Sequence, residues 1–404
     1  DQFEWLLDVT TKAAAEGTPV HEVEKTLWEA FQGIGLSILR AHVGAQGDGD
    51  LGEVVSLPDG RKLRRMGDKS ASRYVSVFGE IEVSEFIYAE RESQKIEIRP
   101  VSARLEMPDS EFSPLLEHWA QGFAVHESFG EAREAIQRIL GLGISVSALE
   151  NMNRRMSKQV EGFRETLEAP SPGEEGEILV LAADCKGVPM VKKEIEPRPK
   201  GQRLKKGEKR NKKKMAAVTA VYSIDRFERT PDDVMTELRE KSEKAERPRP
   251  RNKKVRAEMT RIEGDRESNG KDRAFSAAAE EIEKRNPGGR KRLAVVMDGE
   301  KTLWRRVRLL FPMAVLILDL YHVIEYLWGA AHAFFGETPK AKEFVDKQLR
   351  AILEGRVGYV IGSLKQMETK RKLRGMKKKK VDSAITYFSN NRKYMKYDEY
   401  LAEG

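Results

Sequence analysis

Two apolar runs of this chain end in an aspartate: Leu179-Val180-Leu181-Ala182-Ala183-Asp184 and Leu293-Ala294-Val295-Val296-Met297-Asp298-Gly299. A short run rich in Val, Leu and Ala, bounded by turn residues, reads as a buried central strand, and a carboxylate at its carboxyl end lies on the rim of the sheet. Two carboxylates on neighbouring strands repel one another unless a cation or a proton sits between them. Magnesium or manganese meets that need. Magnesium keeps several waters and binds through one or two carboxylates plus substrate phosphates. The chemistry this predicts is metal-assisted phosphoryl transfer on nucleic acid, in which bound cations stabilise the attacking and leaving oxygens. Taken singly, either Asp also suits a helix cap, above all in Asp298-Gly299-Glu300-Lys301.

A third segment, Leu316-Ile317-Leu318-Asp319-Leu320-Tyr321-His322, ends another apolar run in an Asp and places a His about one helical turn further on. Side chains at that spacing share a face. The His can orient a carboxylate, bind a phosphate or move a proton, or it can be a core His bonded to Asp319.

Charge agrees with a polyanionic substrate. The chain has 404 residues, with 73 Lys+Arg against 65 Asp+Glu. That excess is small, but its placement is uneven. A basic stretch over 186–214 includes Lys205, Lys206, Lys212, Lys213 and Lys214, and a second runs from Lys365 to Lys380. Such runs neutralise phosphates and release counterions without choosing a sequence, or else form solvated loops. The lone cysteine, Cys185, rules out an internal disulfide and fits a reducing compartment. No secretory signal is recognised. The most apolar stretch, 311–335, contains Asp319, His322 and Glu325, which argues against a membrane span and for a strand followed by a buried helix. A cytoplasmic protein is expected.

Several elements must position these residues. The first forty residues read as two amphipathic helices broken around 17–19, and residues 74–88 as a strand hairpin with Gly79 in its turn. Residues 127–156 read as helix, glycine turn (Gly141-Leu142-Gly143) and second helix. That second helix carries Asn151, Arg154 and Arg155, the pattern of a helix-turn-helix whose second helix enters a major groove, or of an ordinary helical hairpin. The resulting divisions are a helical region (1–70), a hairpin plus helix-turn-helix (71–165), a linker (166–177), a catalytic core (178–336) and a helical insertion (337–404). In the core, strands are expected at 178–184, 187–191, 215–224, 293–297 and 314–318, with a helix at 272–285. Segments 192–214 and 240–271 read as charged and mobile. Three strands that pair as a meander, then helix, strand, helix and strand, is the order of a ribonuclease H-like α/β domain, in which the first and fourth strands are neighbours. The fold class expected is therefore α/β, a ribonuclease H-like mixed sheet preceded by an α+β DNA-binding region.

Asp184 with Gly187-Val188-Pro189-Met190-Val191, Val296-Met297-Asp298-Gly299-Glu300 with Trp304, and Phe311-Pro312 leading to Asp319-Leu320-Tyr321-His322 and Glu325-Tyr326-Leu327-Trp328 together resemble the ISKra-type bacterial insertion-sequence transposases. These are similar to the wider DDE group and to Mutator-like transposases. The resemblance runs from the hairpin almost to the last residue, and the Asp-Leu-Tyr-His segment is its most specific part. It implies Asp184 and Asp298 as catalytic metal ligands for magnesium or manganese, and Asp319 with His322 as an accessory pair. It also implies double-stranded DNA, element ends and target, as partner, and a homo-oligomer on that DNA. Cys185-Lys186 stands where many relatives have glycine, a change a strand end tolerates. The family's catalytic Glu lies beyond a helical insertion, and no residue here matches it, although 394–404 resembles the approach to that segment. A transposase incomplete before its third carboxylate is expected; Glu325 or Glu337 would instead complete a compact site. The rivals are a DNA-binding regulator derived from a transposase and a structure-selective nuclease of the same fold.

Overall fold

Helix formers fill the first 44 residues, but Gly17, at φ +68°, and Pro19 break them into α1 (Gln2–Glu16) and α2 (Val20–Gly44). In the computed structural model, residues 2–90, 98–190, 213–239, 247–263 and 266–404 are described. They fall into two units, Asp1–Leu167 and Glu168–Gly404.

In the first unit, β1 (Val54–Ser56), β2 (Lys62–Arg65) and β5 (Tyr88–Ala89) make a three-stranded sheet, which the sequence reading missed because its strands are only two to four residues long. The expected hairpin is β3 (Ser70–Ser76) with β4 (Gly79–Glu85), and β4 alternates exposed and buried side chains as a half-buried strand must. After α3 (Pro100–Arg104), three helices follow: α4 (Pro114–His126), α5 (Phe129–Leu140) and α6 (Val146–Ser157), with α7 (Val160–Thr166) behind them. Ser113, Ser128 and Ser145 each accept an amide hydrogen bond at a helix start, and Gly141 ends α5 in the left-handed conformation. Leu116, Ala120, Ala132, Ile136, Leu149 and Met152 form the shared core of the three helices, together with Val75 and Val77 of the hairpin region.

The second unit is built on a five-stranded sheet of order β12-β11-β6-β7-β8. Its antiparallel part is β6 (Ile178–Pro189), β7 (Lys213–Ile224) and β8 (Arg251–Met259). The helix α8 (Pro231–Arg239) lies between the last two in sequence, and the short hairpin β9 (Arg261–Glu263) with β10 (Arg266–Ser268) follows. Its parallel part adds β11 (Arg292–Met297) and β12 (Val315–Leu318) to the other side of β6. Helices α9 (Gly270–Arg285) and α10 (Lys301–Leu310) make the crossovers. After β12 come α11 (Leu320–Phe335), α12 (Pro339–Leu353), α13 (Val357–Lys370), α14 (Gly375–Asn391) and α15 (Tyr397–Glu403). The architecture is thus mixed α/β with a mixed sheet.

Two expectations change. The runs 178–184 and 187–191 are not separate strands: β6 continues through Asp184 to Pro189 because every residue from Ile178 on stays paired with β7. The third strand of the meander is β8, inside a stretch expected to be mobile. Its Lys and Arg side chains are compatible with a strand because β8 is the sheet's edge, where charge on the outward face blocks further pairing. Of segment 192–214, only Lys213 and Lys214 are described, as the exposed start of β7; Lys205, Lys206 and Lys212 lie outside the described residues.

A single core joins the sheet to its helices: Leu179, Leu181, Val295 and Met297 pack with Phe275 and Ile282 of α9, and the cluster extends through Leu327 of α11 to Phe388 of α14. Burying each such side chain contributes about 1.5–3 kcal/mol. The opposite sheet edge is blunted differently, by Tyr397 and Tyr400 of α15, whose hydroxyls donate to the carbonyls of Leu318 (2.7 Å) and Leu316 (2.9 Å) on β12. Arg285, with its side chain 0 % exposed, is held by Glu175 at 2.6 and 2.8 Å and by the Asn252 carbonyl, so α9 is tied to the approach of β6. Among the described residues no helix is long and apolar enough to cross a membrane.

Candidate active site

Register places the three aspartates side by side. In the parallel part of the sheet, Ala183 pairs with Met297, and Met297 pairs with Leu318. Asp184, Asp298 and Asp319 each come one residue later. They therefore form a row across three adjacent strands spaced about 4.8 Å apart. Asp184 is exposed on β6 at the point where that strand loses β11 as a neighbour and continues with β7 alone. Its carboxylate accepts the Cys185 amide at 2.6 Å.

Asp298 is half-buried, and its carboxylate accepts the Glu300 amide at 3.0 Å. Burial raises its pKa. The Glu300 and Asp184 carboxylates push the same way, and together they outweigh the Glu300 amide and the His322 imidazole. Asp319 caps α11 by accepting the Tyr321 amide at 2.8 Å, and its other oxygen lies 3.3 Å from His322 Nδ1. The cap and the His contact occur together, so neither reading of the Asp-Leu-Tyr-His segment displaces the other.

Around this row stand residues the sequence did not single out. Lys271, at the start of α9, binds Glu300, and Thr302 donates to the same carboxylate. Burial works to raise the Glu300 pKa, but Lys271 and Thr302 outweigh it and hold it low. The Cys185 thiol, beside the same pair, is pushed up to about 11 mainly by burial. From α14, Tyr387 lies against Gly299. A Cβ at that glycine would come within 2.5 Å of the Tyr387 ring and 2.6 Å of Asn391 Nδ2. Burial raises the Tyr387 hydroxyl pKa, with Asp298 and Asp319 among the charges adding to the shift. The glycine after Asp298 was the one sequence signal of this approach.

The donor set suits a hard cation. A divalent ion between adjacent carboxylates offsets their mutual repulsion, and oxygen ligands leave room for waters and phosphate oxygens. Among the described residues no three His, Cys, Asp or Glu side chains are grouped to hold a metal by themselves.

In the first unit, Asn151 and Arg154 lie on the exposed side of α6, where Arg154 bonds Asn151 Oδ1 (2.7 Å) and Glu150 (2.9 Å). Arg155 is committed within the unit, to Glu117 and to Ser110 Oγ (2.8 Å). No protein-family model matches this chain, and no curated protein matches it in sequence.

Proposed function

We propose that this protein is a DDE-type DNA transposase with a ribonuclease H-like catalytic domain, acting on insertion-sequence ends through Asp184 and Asp298. The observation that carries this reading is the row of three aspartates following Ala183, Met297 and Leu318 on adjacent parallel strands. The sheet order supports it: an antiparallel meander of three strands, extended from its first strand by two parallel strands through helical crossovers, is the ribonuclease H-like arrangement. Asp184 and Asp298 would hold magnesium or manganese, which when bound supplies Lewis-acid stabilisation of the transferring phosphate. The chain's own contributions are positional. The Glu300 amide fixes the Asp298 carboxylate, and Asp319 orients His322, whose imidazole is placed to contact a phosphate or shuttle a proton. Lys271 holds the Glu300 carboxylate in an ion pair beside the aspartates. Asn151 and Arg154 on α6, with the basic residues Lys213 and Lys214, would supply contacts to duplex DNA.

The test is manganese-dependent nicking of supercoiled DNA by the wild type, Asp184→Asn and Asp298→Asn. Nicking lost in both variants, with DNA binding retained, is the expected result. Parallel loss of binding and nicking, or nicking indifferent to both changes, would overturn the assignment; a wild type that binds DNA without nicking would point to a DNA-binding regulator, or, where manganese binding depends on both aspartates, to the third carboxylate that no residue here matches.

A further inference from the structure

Next to Asp298, on the side of Gly299, a cleft of about 390 Å³ opens between the start of α10 and the face of α14. Lys301 and Lys379 supply its cations, and Ser383, Thr386 and Asn390 supply neutral hydrogen-bonding groups. One wall is the Tyr326–Tyr387 pair, stacked with ring centroids 3.9 Å apart. The acid on the lining, Asp382, faces Lys378 at 3.3 Å. Lys379 belongs to a run of four lysines in the opening turns of α14, which has no acidic residue in its first turn. The start of that helix carries partial positive charge of the same sign, so this end of α14 favours an anion.

The lining is elongated. From Lys379 to Asn390 the helix advances about 16 Å at 1.5 Å per residue. A single strand can run along a face of that length. A lone phosphate would use one end of such a track. A volume this small holds a strand rather than a duplex, and hydroxyl and amide groups at the sugar–phosphate level bind without reading sequence. Resting on the transposase reading, we propose that this cleft seats the single DNA strand leaving the aspartate row, with Lys301 and Lys379 on its phosphates and Ser383, Thr386 and Asn390 bonding its backbone. Lys301 and Lys379 are positioning residues in this account; they do not touch the reacting atoms.

The experiment is fluorescence anisotropy of a labelled oligothymidylate with the full chain over a salt series. The Lys301→Gln/Lys379→Gln double variant should lower the slope of log affinity against log salt by about 1.4, since each single-strand phosphate contact contributes about 0.7. The Lys301→Arg/Lys379→Arg pair should restore it. An unchanged slope in the Gln double variant overturns the proposal. So does competition by inorganic phosphate at equal phosphate concentration, which marks a small-anion site, or tighter binding of oligouridylate, which reassigns the cleft to RNA. Slope loss in the Gln variant beside nicking that ignores Asp184→Asn would keep the strand cleft and reject the aspartate site.

Discussion

Asp298 is the residue whose acidity depends most directly on the arrangement around it. Its folded pKa is raised above the unfolded value of about 3.9, chiefly by burial and then by the neighbouring carboxylates. The folded protein therefore holds this proton more tightly than the unfolded chain. Its favourable contribution is complete below the unfolded pKa and is lost as pH rises through the folded pKa, leaving an unfavourable charge at neutrality. Asn in its place keeps an oxygen to accept the Glu300 amide and removes the charge. Asp298→Asn should accordingly melt higher than the wild type at pH 7 in chelating buffer, with the gain vanishing near pH 3. Solvent reaching this half-buried group keeps the gain small. A melting point at pH 7 equal to or below that of the wild type would contradict the carboxylate crowding. That Asp184, Asp298 and Asp319 would lie together was legible in sequence because each follows an apolar run that ends at the sheet's rim, and His322 because it stands three residues after Asp319. Lys271 and Tyr387 were not, since they reach the row from α9 and α14, and nothing local marks a residue that acts through tertiary packing.

At the level of elements, the contact between the β11–α10 turn and α14 is the most exacting. Gly299 has no side chain where a methyl group would collide with Tyr387 and Asn391. Asn391 is buried, so it has little freedom to withdraw. Gly299→Ala should destabilise the protein by about 1–3 kcal/mol, the usual cost of overpacking, measured by urea unfolding. A change below about 0.5 kcal/mol would mean that α14 yields and is not a fixed wall of the site. Strand reading succeeded where strands are short apolar runs shielded from solvent along most of their length, as in β11 and β12. It failed where polarity hid a strand. In β8, the alternation of Lys254 and Arg256 with exposed neighbours is that of an edge whose charges find partners on α9 and within the strand, Lys254 with Glu281 and Arg256 with Glu258. In β6, Cys185-Lys186-Gly187 looked like a turn, but the strand's pairing with β7 extends through it.

On the scale of the whole molecule, helical hairpin, small sheets and three capped helices precede a unit whose single core joins a mixed sheet to six or more helices. The helices after β12 are as integral to that core as the sheet itself: Leu349, Val360, Phe388 and Leu401 all belong to it. Their sequence signalled helix clearly, but not that α14 would close over the aspartate row or that α15 would cover the β12 edge, because both depend on where the chain returns. Basic residues gather at Lys301 and along the opening of α14, beside the row. In the proposed function Asp184 and Asp298 act as one divalent-metal site. Calorimetric titration of manganese into the wild type, Asp184→Asn and Asp298→Asn tests it most directly: saturable binding in the wild type that disappears in both variants is predicted, and binding of equal strength in all three, or none in the wild type, would contradict it.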